Sequence, residues 1–185
     1  MIETFLGKRP RIHPSAFIAD SADIIGDVEI GEEASVWFRV VVRGDVNSVR
    51  IGARANVQDG AVIHVTRGLH PTFIEDEVTI GHGAMVHGCR IERGCLIGIG
   101  AIVLDGALIG AESLIAAGAL VTPGTSVPPR SLVMGAPARV VRPLKQEELV
   151  RLERYWKNYV EYAKIYRRNV ARYDARQTEG ESESR

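Results

Sequence analysis

Histidine is the side chain most often found on metal, and three of the five in this chain, His64, His82 and His87, crowd into one short stretch. Three neutral imidazoles that leave one coordination position open form the donor set of a catalytic zinc centre, with Zn–N bonds of about 2.0–2.1 Å. Iron and cobalt accept the same nitrogens. His13 and His70 stand outside the grouping and read as ordinary surface residues. Ligands separated in sequence need a scaffold that brings them together, so the spacing of the apolar residues carries the next step.

That spacing is periodic. Ile or Val recurs every six residues at Ile12, Ile18, Ile24, Ile30, Val36 and Val42, and after a three-residue insertion at Ile51, Val57 and Ile63. It resumes at Ile74, Ile80 and Val86, drops one residue, and runs on through Ile91, Ile97, Val103, Ile109, Ile115, Val121, Val127 and Val133. Small side chains such as Ala16, Ala34, Ala61, Ala84, Cys95 and Ala101 sit four residues after most of these. A period of six matches neither the 3.6 of a helix nor the alternation of a lone strand; it matches short strands turned at tight corners, the parallel β-helix. β-Branched residues suit the strands, and the intervening Gly and Asp suit the corners. Three hexapeptides close a triangular coil, so coils beginning at Ile12, Ile30, Ile51, Ile74, Ile91, Ile109 and Val127 predict an all-β solenoid of seven turns over residues 10–142.

Beyond Pro143 the pattern changes. Leu149, Leu152, Trp156, Tyr159, Ala163, Tyr166, Val170 and Tyr173 step by three and four, which predicts one amphipathic C-terminal α-helix over residues 144–176, packed on the prism. Its nine bases and five acids read as a solvated face. Residues 177–185 are short and polar and are expected to be disordered.

Composition excludes several classes. At 185 residues the chain is one domain or one repeat array, and 23 basic against 23 acidic residues leave no footprint for nucleic acid. There is no apolar run long enough for a membrane span or a secretory leader, which predicts a cytoplasmic protein. Cys89 and Cys95 accordingly read as reduced thiols.

Equivalent positions of successive coils lie about 4.8 Å apart, so side-chain columns follow from the period. Arg43, His64 and His87, each directly after a core Val or Ile, stack on one wall. Asp59 and His82, two positions beyond Val57 and Ile80, occupy a different edge. If one molecule's edge abuts its neighbour's wall, the third ligand arrives across an interface, and a symmetric ring of three prisms makes three such sites.

The turn Arg43-Gly-Asp45, the segment Asn56-Val-Gln-Asp-Gly-Ala-Val-Ile-His64 and the segment Ile80-Gly-His-Gly-Ala-Met-Val-His87-Gly-Cys together resemble the γ-class carbonic anhydrase family, in its short-loop branch, over roughly residues 10–175. The resemblance implies left-handed coiling and a homotrimer with Zn²⁺ (or Fe²⁺ or Co²⁺) between subunits. It implies that His64 and His87 are ligands from one subunit and His82 the ligand from the next. Arg43 and Asp59 match the family's interface ion pair, Asp45 the second acidic position of the Arg-Gly-Asp turn, and Gln58 the glutamine that hydrogen-bonds the metal-bound solvent. Tyr159 matches a tyrosine near the metal, although Glu161 stands where the archetype has asparagine. The implied activity is reversible hydration of CO₂ to bicarbonate by zinc-bound hydroxide.

Two departures stand out. Val46 replaces a shuttle glutamate, and a short Arg67-Gly-Leu-His-Pro-Thr-Phe73 insertion replaces the acidic loop that carries the other, leaving His70 as the available substitute. Three alternatives therefore stay open: an acyl-CoA thioesterase using the same metal, a non-catalytic metal-binding scaffold, and a hexapeptide acyltransferase, whose chemistry needs no histidine triad.

Overall fold

The computed structural model of the protein describes residues 1–182, with side chains through Arg168. All twenty periodic Ile and Val positions fall into three parallel columns. Ile12, Ile30, Ile51, Ile74, Ile91, Ile109 and Val127 pair in register along the first face. Ile18, Val36, Val57, Ile80, Ile97, Ile115 and Val133 do so along the second. Ile24, Val42, Ile63, Val86, Val103 and Val121 make the third. The side chains meet inside the triangle, where Ile63, Ile80, Ile97, Ile109 and Ile115 have no exposed surface.

The breaks in the period have structural causes. The extra residues between Val42 and Ile51 lie in one long strand, Val41–Ile51, which bends from the third face onto the first and joins those two faces in a single 12-stranded sheet. Residues between Ile63 and Ile74 form an outward loop, closed by a bridge between Thr66 and His70. The coils stack closely enough that a Cβ on Gly52 would come within 2.5 Å of the Asp76 backbone nitrogen, so this position admits only glycine.

Both ends of the prism are finished by strands outside the six-residue clock. Ile2–Glu3 pairs with Ile24 and Ile25 and extends the third column, so the ordered fold begins before residue 10. At the other end Ser131–Gly135 turns back on Ala138–Pro143 as an antiparallel hairpin.

The helix runs Gln146–Ser182, starting later and ending later than the 144–176 read from the apolar stripe. Its start is fixed by the returning half of a capping box, in which the Lys145 backbone N–H donates to Glu148 at 2.8 Å. Arg142 clamps the same carboxylate with two hydrogen bonds of 2.7 and 2.9 Å. Residues 183–185 of the expected tail, and the side chains of Val170 and Tyr173, lie outside the described residues. The helix lies along the second face, where Ala163 and Tyr159 pack on Phe17, Ala19 and Trp37. Val160 is buried although the stripe omits it, and Tyr166 stays half-exposed because its ring rests edge-on against Trp37 at 5.2 Å, on the rim of the patch. Among the described residues no helix is long and apolar enough to cross a membrane.

The Arg142 clamp, with the Lys145 N–H, holds the Glu148 carboxyl down at about 2 against an ordinary 4.5. A folded-state value below the unfolded one stabilises the fold above about 4.5, and that contribution fades as pH falls toward 2. The gap in melting temperature between wild type and Glu148→Gln, followed by circular dichroism, is therefore expected to be widest near neutrality and to close in acid. An equal gap at pH 3 and pH 7 would contradict the clamp.

Candidate metal centre

His64 and His87 end the strands Val62–His64 and Met85–His87 and pair in register. Because Ile63 and Val86 point inward with no exposed surface, strand alternation turns both following rings outward onto the same wall. Their nitrogens converge, with His64 Nδ1 lying 3.0 Å from His87 Nε2. The opposite nitrogen of each ring faces a carboxylate: His64 Nε2 is 3.1 Å from Asp45 Oδ1, and His87 Nδ1 is 2.6 Å from Asp105 Oδ1. Arg43 closes on the other oxygen of Asp45.

The electrostatics favour neutral imidazole at His64. Burial pulls its pKa below the ordinary histidine value, and the Arg43 and His87 charges act in the same direction against the opposing pull of Asp45. Neutral imidazole is the form that binds metal. Burial by itself would raise the Asp45 carboxyl, but hydrogen bonds from Arg43 and His64 outweigh it and keep the group below the usual carboxylate range. Asp105 is lowered in the same way, with burial outweighed by hydrogen bonds from His87 and Thr66.

The second group of residues occupies the other edge. His82 Nδ1 pairs with Asp59 Oδ2 at 3.0 Å, and both side chains are well exposed. Gln58 is buried, and its Nε2 donates to Asn56 Oδ1 at 3.1 Å while Asn56 Nδ2 donates to Thr79 Oγ1 at 2.9 Å. That chain uses the Gln58 amide donor and leaves Oε1 free to accept. Gln58 and His82 line a half-open cleft of about 330 Å³ with Ile99, Leu114, Tyr155 and Tyr159. Burial, with the charge of Asp59 and the neighbouring Tyr162, pushes the Tyr159 hydroxyl up to about 12, so at neutral pH it is a hydrogen-bond donor and not a base.

The structure thus brings Arg43, Asp45, His64 and His87 together on the wall, and Gln58, Asp59, His82 and Tyr159 together on the edge. Within one chain the two groups do not merge, and among the described residues no three His, Cys, Asp or Glu side chains converge on a metal position. Arg43 and Asp59 likewise find separate partners within the chain. Asp105 was missed by sequence reading. The six-residue period gave no signal for it: Val86 pairs with Val103, so Leu104 is the register equivalent of His87, and Asp105 lies in the turn that follows. Val46 packs partly against the core and supplies no carboxylate, whereas His70 lies close enough to Asp105 for its charge to be felt there. His13 is occupied elsewhere with Ser15. Cys89 and Cys95 are free and buried, and burial pushes both thiols up to about 12, which removes them as ligands or nucleophiles.

Comparison with known proteins agrees with this architecture. The family model described as bacterial transferase hexapeptide (six repeats) matches residues 88–123. A carbonic anhydrase of Geobacillus kaustophilus is 46% identical over 90% of this chain and 91% of its own length. A Bacillus subtilis protein named as an uncharacterized transferase is 56% identical over 90% of this chain and 97% of its own. Mitochondrial gamma carbonic anhydrase 2 of Arabidopsis thaliana is 40% identical over 86% of this chain and 59% of its own. Identity of this order across nearly the whole prism and its helix makes the chain a member of the γ-class carbonic anhydrase family, built on the left-handed β-helix of hexapeptide repeats.

Proposed function

We propose that the protein is a metal-dependent carbonic anhydrase that interconverts CO₂ and bicarbonate at sites shared between the subunits of a homotrimer. The observation that carries this reading is the approach of His64 Nδ1 to His87 Nε2 at 3.0 Å, each ring backed by a carboxylate. A tetrahedral ion with Zn–N bonds of about 2.0–2.1 Å spaces its nitrogen donors about 3.3 Å apart, close to the separation on the wall. Carboxylates on the outer ring nitrogens are the usual support of imidazole ligands. His82 spends only Nδ1 on Asp59, so its Nε2 is left for a second molecule. The donor set therefore fits zinc, iron or cobalt, held by His64 and His87 with His82 of the partner subunit.

When bound, such an ion supplies a coordinated water whose pKa falls to about 7. The chain's own residues do the rest. Gln58 Oε1 accepts a hydrogen bond and orients solvent, fixed in place by Asn56 and Thr79. Tyr159 closes one side of the cleft as a donor. Arg43 and Asp59 are both exposed, of opposite charge, and available to each other across an interface. We assign the departing proton to His70, on the loop bridged to Thr66 and near Asp105.

A second reading draws on the cleft itself. About 330 Å³ of largely apolar space beside His82 exceeds what triatomic CO₂ needs and suits the acyl end of a thioester, which favours hydrolysis of short acyl-CoAs at the same centre. Stopped-flow CO₂ hydration by the zinc-loaded protein, run beside metal-stripped protein and an acetyl-CoA hydrolysis assay, separates the cases. Zinc-dependent hydration supports the anhydrase. Zinc-dependent acyl-CoA cleavage alone supports the thioesterase, and full zinc loading with neither activity leaves a metal-binding scaffold.

A further inference from the structure

We infer that Asp105 is the positioning residue of the metal centre, fixing the ring of His87 in the one tautomer and orientation that aims Nε2 at the ion. The inference rests on the reading of His87 as a ligand and goes beyond the ligand set. Asp105 Oδ1 lies 2.6 Å from His87 Nδ1, and a carboxylate can only accept there. The proton must therefore sit on Nδ1, which leaves the lone pair on Nε2, the atom 3.0 Å from His64 Nδ1. The opposite tautomer would press a lone pair against a carboxylate oxygen at that same short distance.

Three further features hold the carboxylate in place. Thr66 Oγ1 donates to Asp105 Oδ2 at 2.9 Å, so both oxygens are engaged and the group cannot rotate away. Thr66 is itself anchored, because Asn47 Nδ2 donates to its carbonyl at 3.1 Å and its loop is closed by pairing with His70. Gly88 makes the approach possible: a Cβ at that position would fall 2.2 Å from Asp105 Oδ1, on a backbone already at φ +54°. Unlike Asp45, which Arg43 also claims, Asp105 makes no ion pair with Lys or Arg among the described residues, so its charge is directed at His87.

The test measures zinc affinity of the full-length protein by chelator competition, together with the His87 tautomer from nitrogen-15 NMR of the metal-free form. Asp105→Asn keeps size and a neutral acceptor, and is expected to weaken zinc about 10–100-fold, the usual effect of losing an outer-shell partner, while increasing the share of His87 protonated on Nε2. Thr66→Val, which frees one oxygen without touching the histidine, should move both readouts in the same direction by less. If Asp105→Asn keeps wild-type affinity and tautomer while His87→Ala loses zinc, the positioning role is wrong and the metal centre stands. If His87→Ala holds zinc as tightly as wild type, the metal centre fails and the inference with it. A variant that changes only the melting temperature also overturns the role.

Discussion

Replacing His82 by alanine is expected to release zinc from a protein whose fold and oligomeric mass are unchanged. The His82 side chain is about half exposed and bonded only to Asp59, itself exposed, so truncation opens no cavity and orphans no buried group. Surface changes of this kind stay within about 0.5 kcal/mol of wild-type stability. The loss of zinc affinity should nonetheless exceed the roughly 10–100-fold that outer-shell changes cost, because a donor atom itself is gone. Elemental analysis after dialysis against a chelator, beside light scattering, reads both quantities. A mixing experiment decides whether the site is shared. His82→Ala subunits keep the wall and His87→Ala subunits keep the edge, so co-refolded mixtures should regain part of the zinc that neither variant holds alone. Mixtures as empty as their parents would place all three ligands in one subunit, or remove His82 from the set.

The second large effect is expected in the core. Ile97 has no exposed surface and sits in the second column between Ile80 and Ile115. The ladder bonds around it, Gly81 N–H to the Ile97 carbonyl and Gly98 N–H to the Ile115 carbonyl, both 2.8 Å, fix the spacing of the coils. The cavity left by Ile97→Ala therefore cannot collapse, and a cost toward the upper part of the about 2–5 kcal/mol range for such truncations follows. Ile12→Ala, at the first coil with neighbours on one side only and part of its surface exposed, should cost about half as much, in line with its smaller burial. Denaturant midpoints at constant slope measure both. Equal costs at the two positions would mean that the columns do not carry the stability of the prism.

The columns could be read from the chain because a repeat converts sequence distance into spatial distance. Six residues advance one face and eighteen return to the same face, so Val42, Ile63 and Val86, and the Arg43, His64 and His87 that follow them, can be stacked on paper. What escaped lies off that clock. Ile2 joins the third column from a segment with no six-residue link to Ile12, and its partner Ile24 is chosen by the free edge it covers. Val160 is buried where the helix turns toward the prism, an angle that the apolar stripe leaves open. Asp105 escaped for a different reason. Its carboxylate reaches His87 sideways across one coil, through space that Gly88 vacates, and alternation along a strand contains no such contact.

The hairpin that ends the prism has a further consequence. Stacked parallel coils expose, at each end, a row of unsatisfied backbone groups on which an identical molecule could continue the stack. At the carboxyl end of the second face, Ala138–Pro143 takes up that row running the opposite way, with a shift of register between Leu132 and Val133, and it closes on a proline that has no N–H to offer. On that face a template for continued stacking is thereby replaced by a mismatched, capped edge.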